Sequence, residues 1–225
     1  MMTFMEEQKT TVPFSPAVRA VANVFSYVLH PLFIPLLVTF LAVTALPEFF
    51  TAFKGNSFRW EYDVLFIRVA VASVLFPMLV VVLAKALGFV ESITLGGQRD
   101  RIIPYVASII FYFWAFYTFL REGASPDFYN AFWLGVFIAV VISFVANSFV
   151  KISMHTVGWG GVVGFLLALM FGMGMNVALP LAGAVLLAGI AGSSRLILDA
   201  HSPGEVWSGF VVGVLSQLAA YLILG

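Results

Sequence analysis

The sequence predicts an all-α protein, a polytopic membrane bundle of about six to seven transmembrane helices, on three observations. Hydrophobic residues make up 62% of the chain and charged residues 10%, a balance far from that of a soluble domain. Uncharged stretches of ~20 residues, the length that a helix needs to cross the hydrocarbon core, recur along the chain. The polar motifs fall at the borders between these stretches. With 225 residues, we expect a short N-terminal tail, 1–18, followed by one helical domain, 19–225.

Seven crossings follow when the uncharged stretches are taken in order. They lie between Arg19 and Glu48, over about 64–90, between Arg101 and Arg121, between Asp127 and Lys151, between His155 and Arg195, and after Glu205. The first is expected to kink at His30-Pro31, because an internal proline removes a backbone hydrogen bond. The fifth stretch is too long for one crossing and predicts two helices joined by a Gly- and Pro-containing turn within 172–180.

This count places three polar segments on one face of the membrane. Two crossings separate Arg99-Asp100-Arg101 from the segment 151–155, and two more separate that segment from 194–205. Charged side chains at such borders mark functional sites by default. The sequence therefore predicts that the three segments form one composite site.

The residue types in these segments suit phosphoryl chemistry. Arginines and hydroxyl groups bind phosphate oxygens, and of two histidines one can attack phosphorus while the other protonates the leaving oxygen. His155 and His201 are the two candidates. Glu205 lies four residues after His201 and so shares its helix face. It could orient the imidazole or serve in a capping box that begins at Ser202, and the two roles are compatible.

Other features exclude function classes or have structural interpretations. A net charge of zero argues against a nucleic-acid partner, and the absence of cysteine excludes thiol chemistry. No ligand pattern of metal-site spacing appears, so we expect neither a metal nor another cofactor. His30 is interpreted as an interhelical hydrogen-bonding residue at the kink, and Gly160 with Gly164 as a close helix-packing pair. The distribution of lysine and arginine does not decide the orientation in the membrane.

The polar motifs resemble those of the type-2 phosphatidate phosphatase superfamily of membrane lipid phosphatases. Its third motif, Ser-Arg-x5-His-x3-Asp, is matched by Ser194, Arg195 and His201, with Glu205 in place of the aspartate. The resemblance extends over residues 91–215, and this motif is its most specific part.

The other two motifs match less completely. The second, Pro-Ser-Gly-His, is matched at Ser153 and His155, with Ile152 and Met154 at the other positions. The first, Lys-x6-Arg-Pro, is degenerate. Ile103 precedes Pro104, Gly96 occupies the place of the lysine, and Arg99 and Arg101 are the nearest substitutes.

The resemblance implies a six-helix core and a metal-independent lipid phosphate phosphatase that works through a phosphohistidine. His201 would be the nucleophile, Glu205 its orienting carboxylate and His155 the acid that protonates the leaving oxygen. The implied phosphate-binding residues are Arg195, Ser153, Met154 through its backbone, Arg99, Arg101, Lys151 and Ser194.

The expected partners are a lipid phosphate substrate and the bilayer. The resemblance places such a protein in a bacterial inner membrane with its site on the extracytoplasmic side. Two alternatives remain open on the same scaffold. One is a non-catalytic phospholipid-binding or transport protein, and the other is a phosphotransferase that passes the phosphoryl group to a lipid or sugar.

Overall fold

A computed structural model describes residues 14–54, 62–92 and 97–225, and within these residues the regular structure is entirely helical. The α-helices are α1 (Pro16–Val28), α2 (Ile34–Ala45), α3 (Asp63–Ala70), α4 (Phe76–Ala86), α5 (Ile102–Glu122), α6 (Asp127–Ala146), α7 (Met154–Gly172), α8 (Ala178–Ile197) and α9 (Pro203–Leu224). Short 3₁₀ segments at Pro31–Phe33 and Pro47–Phe53 and a π-helical segment at Val71–Leu75 join or extend them. The all-α prediction is confirmed.

Seven helical segments of the described chain are long and apolar enough to cross a membrane. Two are composite: α1 with α2 forms Pro16–Ala45, and α3 with α4 forms Asp63–Ala86. Helices α5 to α9 each make one further segment, and the predicted turn within 172–180 separates α7 from α8. The protein is therefore a multi-pass membrane protein, as predicted. Residues 1–13 of the predicted tail lie outside the described residues, and α1 already begins at Pro16.

The first crossing bends where the sequence predicts. Helix α1 ends at Val28, and Pro31 begins the 3₁₀ segment that leads into α2. The expected role of His30 is wrong in detail. Its ring nitrogen Nδ1 accepts the backbone N–H of Leu32 at 3.4 Å, a local cap rather than an interhelical hydrogen bond. Its interhelical contact is a ring-edge contact with His155, at 5.2 Å between ring centroids.

Helix α7 is the most deeply buried crossing, and glycines on both sides bring its backbone against α9. A Cβ on Gly164 would lie 2.6 Å from the carbonyl oxygen of Val214, and one on Gly160 would collide with the carbonyl of Phe210. This confirms that Gly160 and Gly164 are a close-packing pair, since only glycine lets two backbones approach so closely. Gly213 serves the same purpose from the α9 side.

We expect Gly209→Ala to destabilise the protein by about 1–3 kcal/mol, the range for overpacking a well-packed interior. A methyl group there would lie 2.6 Å from Thr156 Oγ1 and 2.7 Å from the carbonyl oxygen of Ser153. The measurement is the free energy of unfolding in detergent. Gly204→Ala, also in α9, is the matched control, because a Cβ at Gly204 has no heavy atom within 4 Å. Equal stability of the two variants would contradict the packing argument.

The connection from α8 to α9 is a closed, hydrogen-bonded turn. The N–H of Ala200 donates to the carbonyl of Arg195 at 3.0 Å, and the N–H of Asp199 donates to that of Leu196 at 3.0 Å. These two bonds make a Schellman motif, which needs a left-handed residue at the position of Asp199. Asp199 has φ 53°, and aspartate tolerates this region better than most side chains. The turn fixes the last residues of α8 relative to the start of α9.

The start of α9 carries the predicted capping box. Ser202 Oγ accepts the N–H of Glu205 at 3.4 Å, and the Glu205 carboxylate accepts the N–H of Ser202 at 3.2 Å. Pro203 occupies the first helical position, where its missing N–H has no helical partner to lose. The structural role expected for Glu205 is therefore present.

Candidate functional site

The three polar segments predicted to share one membrane face lie together. Lys151 Nζ donates to the carbonyl oxygen of Ala200 at 3.1 Å, and Arg101 Nη1 donates to that of Ile152 at 3.3 Å. The N–H of Ser153 donates to the carbonyl of Glu205 at 3.1 Å. The segment between α6 and α7 is thus bonded both to the start of α5 and to the α8–α9 region. The three segments predicted from the order of the crossings to form one site are therefore in contact.

At its centre, His201 is paired with Glu205. His201 Nδ1 donates to Glu205 Oε2 at 2.9 Å, and the imidazole side chain is only 3% exposed. Because Nδ1 carries the hydrogen, Nε2 keeps its lone pair. Glu205 therefore orients the imidazole and caps α9 at the same time.

The charge state of His201 follows from its surroundings. Burial is the main influence and lowers the pKa of His201 to about 4. The hydrogen bond to Glu205 raises this pKa, whereas the positive charges of Arg101, Lys151 and Arg195 lower it. Near pH 7 the imidazole is therefore neutral, the form in which Nε2 can act as a nucleophile.

Two buried polar atoms beside this pair have no hydrogen-bond partner within the described part of the chain: Ser153 Oγ and Arg195 Nε. Ser153 is fully buried. Arg195 lies in the last turn of α8, and its Nη1 donates to Ser26 Oγ at 2.6 Å. Buried polar groups are normally bonded, and leaving one unsatisfied costs about 1–3 kcal/mol. Both residues belong to the predicted phosphate-binding set, and a hydroxyl and a guanidinium N–H are donors that phosphate oxygens accept.

Lys151 adds a cation to the cluster. Its pKa is lowered, chiefly by burial and further by Arg101 and Arg195, against the opposing effect of Glu205. Arg101, Lys151 and Arg195 therefore surround a site in which Glu205 is the carboxylate paired with His201. The local charge favours an anionic ligand.

Three members of the predicted phosphate-binding set do not direct a side-chain donor into the cluster. Arg99 is exposed, and no hydrogen bond or ion pair within the described chain ties its side chain to the cluster. Ser194 Oγ donates to the carbonyl of Ile190 at 2.8 Å, so its hydroxyl is occupied within its own helix. Met154 begins α7, where the first N–H groups have no partner within the helix. It is thus placed to offer its backbone rather than its side chain.

His155 is held by a residue that the sequence motifs do not include. Its Nε2 donates to the carbonyl oxygen of Ser26 at 2.9 Å and lies 3.4 Å from Ser26 Oγ. Ser26 thus contacts both His155 and Arg195. The one available signal was local: Ser26 lies one helical turn before His30, near the predicted kink.

Arg19 and Asp199 form a second unpredicted link between α1 and the α8–α9 turn. Arg19 Nη1 donates to Asp199 Oδ2 at 2.8 Å and to the carbonyl of Ile197 at 3.3 Å. Both side chains are about half exposed, so we expect this pair to add little stability.

Fold and site together define a multi-pass membrane protein with a buried histidine–carboxylate pair among cationic side chains. The sequence matches no protein-family model, no curated protein and no solved structure. Among the described residues, no group of three or more His, Cys, Asp or Glu side chains is placed to hold a metal ion. The arrangement combines cationic side chains with a neutral, oriented imidazole.

Proposed function

We propose that this protein is an integral membrane lipid phosphate phosphatase, a divergent member of the type-2 phosphatidate phosphatase superfamily. It hydrolyses a lipid phosphomonoester or diphosphate without a metal, through a phosphohistidine. The single observation that carries the proposal is the 2.9 Å bond from His201 Nδ1 to Glu205, which leaves Nε2 available among Arg101, Lys151 and Arg195.

In the first step His201 Nε2 attacks phosphorus. An N–P bond forms while the P–O bond to the lipid breaks. Arg195 and Ser153 donate to the phosphoryl oxygens, where charge resides in the transition state. The imidazole becomes positively charged on attack, and Glu205 stabilises that charge through Nδ1–H.

The leaving oxygen needs a proton, and His155 is the proposed donor. His155 donates as the imidazolium, protonated at both Nδ1 and Nε2, and becomes neutral on transfer. In this structure its Nε2 proton is bonded to the Ser26 carbonyl, so that hydrogen bond breaks before the transfer. In the second step water attacks phosphorus and gives a proton to His155. The N–P bond breaks, and inorganic phosphate and neutral His201 are restored. The lipid product is an alcohol, or a monophosphate if the substrate is a diphosphate.

The proposed location is a bacterial inner membrane, with the site at the extracytoplasmic border. The phosphate group of a lipid lies at the membrane border, and the cationic cluster also lies where the membrane segments end, so the two can meet there. The described residues contain seven candidate crossings, one more than the six of the superfamily core, so the extra crossing belongs to the proposed divergence.

A second candidate function is phospholipid binding or transport without catalysis. Two observations favour it: Arg99 is exposed, and His155 has its Nε2 proton engaged by backbone. For this function Arg195 and Ser153 bind the headgroup and the His201–Glu205 pair is structural. The two functions differ in whether phosphate is released.

The test is phosphate release by purified protein in detergent with EDTA, over a panel of lipid phosphates and diphosphates. We expect release that EDTA does not reduce, because the proposed nucleophile is a side chain. Arg121→Ala, in the last turn of α5, is a control for a lost surface cation and should release phosphate as wild type does.

Any of three results would overturn the phosphatase proposal. Loss of release on adding EDTA would contradict the metal-independent mechanism. Binding of lipid phosphates without release of phosphate would favour the binding or transport function. Phosphate transferred to an added lipid or sugar acceptor would identify a phosphotransferase.

A further inference from the structure

A lateral groove runs between α1 and α8. Its volume is about 650 Å³, and its lining is almost wholly apolar, including Val21 and Phe25 of α1 and Gly189 and Ile190 of α8. This volume lies within the range of about 300–1,000 Å³ that is usual for ligand pockets. Both helices belong to segments long and apolar enough to cross a membrane. The groove therefore has the size and chemistry to hold a hydrocarbon chain.

Residues next to the polar site along both helices line the groove. Ser194 and Ile197, which flank Arg195 along α8, are part of its lining. On the other side Phe25 immediately precedes Ser26. The 2.6 Å bond between Arg195 Nη1 and Ser26 Oγ thus marks a boundary between the apolar groove and the cationic cluster. A molecule that fits both parts has an apolar chain and an anionic group.

We infer that this groove binds one hydrocarbon chain of a phosphate-bearing lipid, with the phosphate directed to Arg195. The inference rests on the proposed function, since it assigns the tail of the lipid whose phosphate the site takes. An entering phosphate oxygen takes the place of Ser26 Oγ on Arg195 Nη1, because both are oxygen acceptors for the same donor. Charge complementarity selects an anionic lipid over a zwitterionic or neutral one.

Gly189 offers a direct test because it lines the groove and points into open space. A Cβ at Gly189 has no heavy atom within 4 Å, so a larger side chain can leave the helix there without a clash at its first carbon and extend into the groove. Gly183, also in α8, has the same open surroundings but does not line the groove. Gly189→Leu and Gly183→Leu are therefore a matched pair.

The probe is a phosphatidate analogue with a photoactivatable group in one acyl chain. Purified protein in detergent is irradiated with it, and the labelled peptides are identified by mass spectrometry. We expect labelling of α1 and α8 in wild type and in Gly183→Leu, and a loss of about tenfold or more in Gly189→Leu, which corresponds to about 1.4 kcal/mol of binding. Unlabelled phosphatidate should compete, whereas phosphatidylcholine should not.

Three results would overturn the inference: equal labelling in all three proteins, equal competition by phosphatidylcholine, or loss of a dimer in Gly189→Leu on size exclusion. The last would identify a second copy of the chain as the occupant. Hydrolysis of a water-soluble phosphate monoester is measured in parallel. If labelling follows the expected pattern but phosphate is released neither from phosphatidate nor from the water-soluble monoester, the phosphatase proposal fails and the lipid site stands. If phosphate is released but the groove is not labelled, the lipid site fails and the phosphatase proposal stands.

Discussion

Replacing His201 with alanine is expected to reduce phosphate release by more than about 1,000-fold, the scale seen when a covalent nucleophile is removed. Nε2 of this residue is the proposed attacking atom, and no other imidazole in the described chain is bonded to a carboxylate. The fold should survive, because both hydrogen bonds of the capping box, between Ser202 and Glu205, can form without the His201 ring. The measurement is single-turnover phosphate release together with trapping of an acid-labile, base-stable phosphoprotein.

His201→Gln provides the control for folding in this experiment. Glutamine supplies an N–H donor for Glu205 but no nucleophilic nitrogen, so this variant should be as inactive as His201→Ala and closer to wild type in thermal stability. Turnover retained in either well-folded variant would rule out the phosphohistidine mechanism. Retained lipid binding without turnover in wild type would instead identify the binding protein.

Replacing Arg195 with lysine is expected to reduce kcat/KM by about 100-fold, the scale for losing one preorganised donor to the transition state. Lysine keeps the positive charge but lacks Nε, the buried donor that has no partner within the described chain. It also lacks the planar fork with which arginine binds two phosphate oxygens at once. Initial rates over a range of lipid phosphate concentrations give the measurement.

Arg19→Lys is the matched variant for Arg195→Lys. Arg19 also carries charge between α1 and α8, but its pair with Asp199 is about half exposed, and exposed pairs contribute about 0–1 kcal/mol. We expect kcat/KM near the wild-type value. Equal losses in the two variants would show that Arg195 acts only by attaching α1. An unchanged kcat/KM in Arg195→Lys would remove Arg195 from the proposed phosphate site.

The fold could be predicted from sequence because its determinants are local. An uncharged stretch of ~20 residues is more stable in the bilayer than in water, and this preference alone predicts the seven crossings found in the described residues. The capping box and the His201–Glu205 pair depend on spacings of three and four residues on one helix, which the sequence displays directly. The turn between α7 and α8 follows from breaker residues in the same way.

The rest of the site depends on how distant helices meet. Ser26 reaches Arg195 across 169 positions of sequence, and nothing in either segment specifies how α1 lies along α8. Motif spacing also does not state which way a hydroxyl points. Ser194 matches the third motif, yet its Oγ is bonded to Ile190 in its own helix. The sequence placed Arg99 and Arg101 equally near the predicted site. In the structure, Arg101 is the arginine bonded to the segment before α7.

The glycine contacts between α7 and α9 determine which part of the molecule is free to move. The backbones of α7 and α9 are in direct contact there, so we expect the two helices to behave as one rigid unit. This unit carries Ser153 and Glu205, which are bonded to each other through their backbones. Helix α1 is attached by side-chain hydrogen bonds rather than by close backbone packing: Arg19 bonds to the α8–α9 turn, Arg195 bonds to Ser26, and His155 of α7 donates to the carbonyl of Ser26. The bend at His30-Pro31 follows it. If the proposed lipid enters beside α1, we therefore expect this helix to shift about the bend while the α7–α9 pair keeps Ser153 and Glu205 in place.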